Sequence, residues 1–188
     1  MLIRPSTPGD LPAITAIYAD AVLHGTGTFE LDVPDEAEMG RRLDDVLSKG
    51  LPWLVAEDLG SATLLGYAYA NHFRPRRAYR FCLEDSIYLA PAARGEGVGS
   101  LLLSELMARC EALGARQMLA VIGDAANQGS VRVHERLGFV HTGVLKASGW
   151  KFGRWLDVVL MQRALGLGDA CDPVCAPVDA RNSEQAKT

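Results

Sequence analysis

Ile87-Tyr88-Leu89-Ala90-Pro91-Ala92-Ala93-Arg94-Gly95-Glu96-Gly97-Val98-Gly99-Ser100-Leu101-Leu102 reads as an apolar strand, a glycine-rich turn and the opening of a helix. The first amides of a helix have no intrahelical acceptor, and glycine lets the backbone approach a ligand closely. Such a turn suits an anionic phosphate group, and a pyrophosphate is the expected ligand. A Walker loop needs Gly-Lys-Ser/Thr, and this turn has no lysine. A dinucleotide G-x-G-x-x-G fingerprint also fits poorly, because Gly95, Gly97 and Gly99 recur with period two and no βαβ repeat precedes them. Without a ligand, the same glycines would serve tight strand–helix packing.

After the turn, Leu102, Leu103, Leu106, Met107 and Cys110 fall on one helix face, followed by a strand over 118–122, a helix over 127–137 ended by Gly138, and apolar strands over 139–145 and 155–161. Before it, residues 53–56, 63–70 and 79–89 read as an antiparallel meander. Further upstream lie a short strand (2–4), a helix carrying Ile14, Ile17, Tyr18 and Ala21, and a second helix. That second helix is announced by Pro34-Asp35-Glu36 and runs through Met39, Leu43, Val46 and Leu47 to Lys49-Gly50. The pattern predicts an α/β (α+β) domain over residues 1–165, with a mixed, mostly antiparallel sheet flanked by helices. Residues 166–188 mix Pro, Asp, Ala and Ser without periodicity, and a mobile tail is expected there.

The 188 residues are 48% apolar, enough for one sizeable core. With 19 basic and 23 acidic side chains the net charge is −4, which argues against a nucleic-acid-binding surface. Four cysteines are too few and too scattered for a disulfide framework, and the pair Cys171 and Cys175 has no second pair with which to hold a metal, so no metal is expected. No stretch approaches the ~18 apolar residues of a membrane span. The first ten residues carry no apolar signal region, so a soluble, cytoplasmic protein is expected.

Arg94-x-x-Gly97-x-Gly99 is similar to the R/Q-x-x-G-x-G/A signature of the GNAT N-acetyltransferase superfamily, and the order of elements over 2–165 resembles that fold. Within it the chain resembles the phosphinothricin and methionine sulfone acetyltransferase family. The resemblance is carried by Trp53-Leu54-Val55-Ala56, Gly66-Tyr67-Ala68, Phe73-Arg74-Pro75, Glu84-x-Ser86-Ile87-Tyr88, Ala120-Val121-Ile122, Asn127-x-x-Ser130-Val131-x-x-His134, Leu137-Gly138-Phe139 and Lys151-Phe152-Gly153-Arg154-Trp155-Leu156-Asp157. It implies an acetyl-CoA-dependent acyltransferase acting on the α-amine of a small amino-acid analogue, with a splayed strand pair that binds acetyl-CoA and a homodimeric assembly.

The resemblance also assigns residues. Acetyl transfer needs an uncharged amine, and an α-amine with pKa of about 7.7–8.0 is mostly protonated at pH 7. Glu84, in mid-strand among apolar neighbours, matches the family's general base; its bland alternative is a surface carboxylate. His134 stands where many GNAT enzymes place a tyrosine near the thioester sulfur, and reads either as acid to the departing thiolate or as a positioning or packing histidine. Ile87, Tyr88 and Leu89 are expected to bond the pantetheine arm through their backbone, and Arg94, Gly95, Glu96, Gly97, Val98, Gly99 and Ser100 to hold the pyrophosphate. Asn127 and Ser130 match cofactor contacts, although Asn127 also reads as a plain helix cap. Arg74, Pro75, Arg76 and Tyr79, with Glu84, Asp85 and Ser86, are expected against the acceptor, since guanidinium forks pair with carboxylate, phosphinate or sulfonyl oxygens. The alternative for this arginine cluster is a solvated loop with one or two arginines paired to Asp44, Asp45 or a neighbouring subunit. Phe29, in the Gly- and Thr-rich loop over 25–32, is expected to act as a lid.

Two other readings stay open on sequence. The acceptor is a protein N-terminus, a lysine or a polyamine, favoured by the net charge and opposed by the arginines; or the chain is a CoA-binding sensor without chemistry, opposed by the presence of Glu84 and His134.

Overall fold

The computed structural model describes residues 1–173, and among them the sheet has seven strands in the order β1-β2-β3-β4-β5-β7-β6. β1 (Leu2–Pro5), β2 (Trp53–Glu57), β3 (Leu64–His72) and β4 (Cys82–Leu89) form the antiparallel half. β4 and β5 (Gln117–Gly123) are parallel, and β5 then pairs antiparallel with β7 (Arg154–Ala164), which carries β6 (Val140–Lys151) on the edge. The helices are α1 (Leu11–His24), α2 (Glu36–Ser48), α3 (Val98–Ala112) and α4 (Gln128–Arg136).

Alternation along the strands explains the layers. Trp53, Tyr67 and Tyr69 point to the face covered by α1 and α2, and Leu54, Ala68 and Ala70 to the face covered by α3. Both faces are covered, so the central strands are apolar on both sides, as the run Trp53-Leu54-Val55-Ala56, all buried, records. α3 lies over β2, β3 and β4 and buries Leu102, Leu103 and Leu106 completely.

Two expectations change, and part of a third segment is described. β4 starts at Cys82, not at residue 79, because Arg77–Tyr79 closes a 3-10 turn after the Arg74-Pro75 bend, with the Tyr79 ring edge-on to Phe73 at 5.9 Å. The closing hairpin is longer than its apolar runs: β6 extends to Lys151 across an irregularity between Leu145 and Gly149, where Ala147 has φ 50°. Of the segment read as a tail, residues 166–173 turn back on β7, with Gly168 N–H donating to the Leu165 carbonyl. Residues 174–188, Cys175 among them, lie outside the described residues.

Leu102→Ala should cost about 2–5 kcal/mol in chemical denaturation, because it empties a fully buried site between α3 and the sheet. Its neighbour Leu101, 49% exposed, should change stability by about 0.5 kcal/mol or less when replaced by alanine.

Candidate active site

β4 and β5 hold a parallel ladder from Cys82↔Gln117 only as far as Asp85↔Ala120. Beyond it β4 continues to Leu89 on β3 alone, and β5 to Gly123 on β7 alone. The inner backbone groups of residues 86–89 and 121–123 therefore face a widening cleft and lack a strand partner there, although buried amides and carbonyls require one. At the mouth of the cleft, Gly95 and Gly97 adopt positive φ (88° and 81°), and a Cβ at either would meet open space. Gly97 caps α3 without a side chain, so its first amides are presented to the turn. Gly99, by contrast, packs against Leu89 and Val133. The turn thus divides its glycines, with open space beside Gly95 and Gly97 and side-chain contact at Gly99.

Arg94 reaches the same mouth. Its guanidinium pairs with Asp20 of α1 and lies 3.4 Å from the Leu89 carbonyl, with the side chain 53% exposed. Sequence reasoning missed Asp20, whose partner is far away along the chain. Asn127 accepts a hydrogen bond from Ser130 N–H at 3.2 Å, the cap reading, at the edge of the cleft.

Glu84 stands one residue before the last β4–β5 pair, opposite Asn71 on β3, on the sheet face shared by α1 and α2. It is half-buried, and burial first, then the neighbouring Asp85 charge, push its carboxyl above the usual range, while Arg74 pulls it down. That face is a wall of rings: Trp53 stacks on Tyr69 at 4.2 Å, Tyr67 on Tyr88 at 5.3 Å, and Tyr18 meets Tyr88 edge-on at 4.9 Å. Tyr69 hydrogen-bonds Ser86. Arg74 lies over the Phe73 ring at 4.6 Å, and Arg74, Pro75, Arg76 and Tyr79 are all exposed. Asp45, one alternative partner for this cluster, pairs with Lys49 instead.

Asp85 corrects its expected placement. Successive strand residues point to opposite faces, so Asp85 faces α4, on the side of the sheet away from Glu84. Its Oδ2 lies 3.0 Å from His134 Nε2, and His134 Nδ1–H donates to the Ser130 carbonyl at 2.8 Å. Both side chains are 3% exposed. Burial alone would lower the imidazole pKa; the Asp85 hydrogen bond and charge, with the Ser130 carbonyl, more than offset it and raise the value. With both ring nitrogens engaged, His134 is a buried tie between α4 and β4, not a side chain presented to a departing thiol. The sequence signal was the alternation itself, which sets an aspartate between Leu83 and Ile87 on an apolar face.

The loop over 25–32 is fastened, not free. The Phe29 ring fills the space a side chain would occupy at Gly149 and touches Gly123, whose own Cβ would strike the Thr26 carbonyl. Thr28 hydrogen-bonds Tyr18 through its hydroxyl at 2.9 Å and accepts from Lys151 Nζ at 2.8 Å through its carbonyl. Thr26 hydrogen-bonds Asp124, which also pairs with Arg154 at 2.7 Å. The expected lid is therefore a wall held against the end of β5. Among the described residues no cluster of three or more His, Cys, Asp or Glu side chains is placed to hold a metal.

Comparison with known proteins places this geometry. The family model described as "Acetyltransferase (GNAT) family" matches residues 17–139. The chain is 56% identical to phosphinothricin N-acetyltransferase of Alcaligenes faecalis, over 91% of this chain and 86% of the relative. It is 39% identical to the L-methionine sulfoximine/L-methionine sulfone acetyltransferase of Pseudomonas aeruginosa, over 85% of this chain and 92% of the relative. Its fold matches the crystal structure of a GNAT superfamily phosphinothricin acetyltransferase from Sinorhizobium meliloti in complex with acetyl-CoA, with TM-score 0.89, 49% identity and 95% of each chain covered.

Asp85→Ala leaves the imidazole buried without its anion and should cost about 3–5 kcal/mol. The raised His134 pKa also has a signed consequence. The stabilisation it confers is complete below the ordinary imidazole value of about 6.5 and is lost as pH rises through the raised native value. Denaturant midpoints measured across that window should fall with rising pH in the native protein, and this component of the slope should vanish in Asp85→Asn.

Proposed function

The chain belongs to the GNAT acetyltransferase family, and we infer that it transfers the acetyl group of acetyl-CoA directly to the α-amine of a small amino-acid-like acceptor of the phosphinothricin, methionine sulfone or methionine sulfoximine type. The observation that carries the reading is the position of Glu84, a half-buried carboxylate with a raised pKa one residue before the point where β4 and β5 part. A base at that point lies beside the place where a thioester in the cleft would end.

In this reading the backbone of Ile87, Tyr88 and Leu89 binds the pantetheine amides and polarises the thioester carbonyl. The turn from Arg94 to Ser100 holds the pyrophosphate, with Asp20 displaced from the guanidinium. Glu84 takes the ammonium proton, directly or through water, and frees the amine lone pair for attack. The tetrahedral adduct collapses with loss of CoA thiolate, which at a thiol pKa near 8.5 needs no dedicated acid, and His134 is assigned to holding the strand and α4 in register. Arg74 and Arg76 meet the distal oxygens of the acceptor, and Phe29 and Tyr79 wall the site.

We also assign a cytoplasmic homodimer. The described thiols Cys82, Cys110 and Cys171 are all free, as suits a reducing compartment. On the β6–β7 edge, Trp150 (54% exposed), Phe152 (55%) and Trp155 (62%) make an apolar patch of the kind that marks an association surface.

An amine panel read by thiol release should show turnover with phosphinothricin, methionine sulfone and methionine sulfoximine above that with spermidine or peptides; the reverse order, or no thiol release, overturns the reading. Glu84→Gln should lower turnover at pH 7 by about tenfold or more. In the native enzyme the rate should rise with pH through a limb above the usual carboxylate range, as Glu84 loses its proton. Arg74→Gln removes the one charge that favours the carboxylate, so this limb should move to still higher pH while acceptor KM increases.

A further inference from the structure

Lys151 ends β6 and is 3% exposed, yet its ammonium has one hydrogen-bond partner, the Thr28 carbonyl at 2.8 Å. An ammonium carries three donors, and no carboxylate lies within ion-pair distance of this one among the described residues. Its other close neighbour is the Phe152 ring, 5.1 Å away. Glu30 is near enough to favour the charged form but is itself paired with Arg42 at 2.7 Å. A buried charge without a counter-ion is costly, and burial lowers the Lys151 pKa accordingly. The same environment holds the acceptor-side wall. Thr28 is the residue whose hydroxyl meets Tyr18, Phe29 sits on Gly123 at the end of β5, and Arg154, the β7 partner of Lys151, pairs with Asp124 immediately after β5.

We propose that Lys151 is an acceptor-binding residue whose ammonium takes the α-carboxylate of the amino-acid substrate. This rests on the acetyl-transfer reading above and deepens it. Phosphinothricin, methionine sulfone and methionine sulfoximine differ at the distal end, which is anionic only in the first. The formal negative charge common to all three is the α-carboxylate, and a buried unpaired cation calls for a formal charge. The arginines at 74 and 76, exposed and on the β4 side, are left for the distal oxygens. The acceptor is then read at both ends: the carboxylate by Lys151 across the cleft, the distal group by arginine, and the amine between them by Glu84.

The test compares each acceptor with its methyl ester, which keeps the amine and distal group and removes the charge. Wild-type enzyme should prefer methionine sulfone over its methyl ester by about tenfold or more in kcat/KM, expressed mainly in acceptor KM. Lys151→Gln keeps a donor for the Thr28 carbonyl and loses the charge, so it should lose most of that preference by weakening the acid and not the ester, with the KM for acetyl-CoA unchanged. Lys151→Arg should retain part of the preference. Equal losses for acid and ester in Lys151→Gln would make Lys151 a latch for the loop and overturn the proposal. Wild-type enzyme that uses the ester as well as the acid would overturn it without any variant. Failure of the wild-type enzyme to acetylate either form would instead overturn the acetyl-transfer reading.

Discussion

β4 and β5 run side by side for four residue pairs and then part, each kept straight by a different neighbour: β3 continues to hold β4 as far as Leu89, and β7 holds β5 as far as Gly123. A parallel ladder in a twisted sheet costs little to interrupt when both strands have a second partner. The interruption leaves two rows of backbone donors and acceptors aimed at each other across a gap too wide for hydrogen bonds. In a protein core such rows call for an extended polar chain. The glycine turn after β4 stands at the mouth of this gap because α3 must begin where β4 ends, and Glu84 stands beside its apex, turned by strand alternation to the face that carries α1 and α2.

The rest of the molecule keeps this gap in one shape. On the α3 side, the Asp85–His134 pair ties the last laddered residue of β4 to α4, and Phe139 packs edge-on to the imidazole at 4.9 Å. On the α1 side, the tyrosine and tryptophan rings stack into a rigid wall, and Phe29 is seated in the hollow left by two glycines. Partial burial of Glu84, which raises its pKa, therefore comes from the packing of the fold itself.

Much of this was legible in the sequence because it is local. The period-two glycines after an apolar strand, the amphipathic run from Leu102 to Cys110 and the alternation around Glu84 each speak through neighbours a few residues away. What escaped depends on contacts between distant segments. Asp20 and Arg94 are brought together by α1 crossing the turn. Lys151 and Thr28 meet because the first helical connection lies over the last hairpin, and Gly149 reads as a mere irregularity until the ring that fills its hollow is known. For His134 the sequence leaves an acid and a positioning or packing role side by side, because its position along α4 is visible there and the engagement of both its nitrogens is not. Glu84-Asp85-Ser86 reads as one patch along the chain, whereas strand geometry divides it between two faces.

Charge is distributed in a way that separates the two anion sites. The Arg94–Asp20 pair is half-exposed on the arginine side, and pairs of this kind are worth about 0–1 kcal/mol, so in the proposed reading a pyrophosphate carrying more charge displaces the carboxylate at little cost. Binding there exchanges one anion for another. Lys151 is different, since it is 3% exposed and its ammonium hydrogen-bonds the Thr28 carbonyl, and in the proposal above an arriving carboxylate supplies the ion-pair partner. An exposed pair such as the first is screened by salt, and a buried one such as the second would be screened much less. An enzyme that must take a common cofactor and choose among similar amino acids has use for both, with the first site on the exposed turn and the second under the wall.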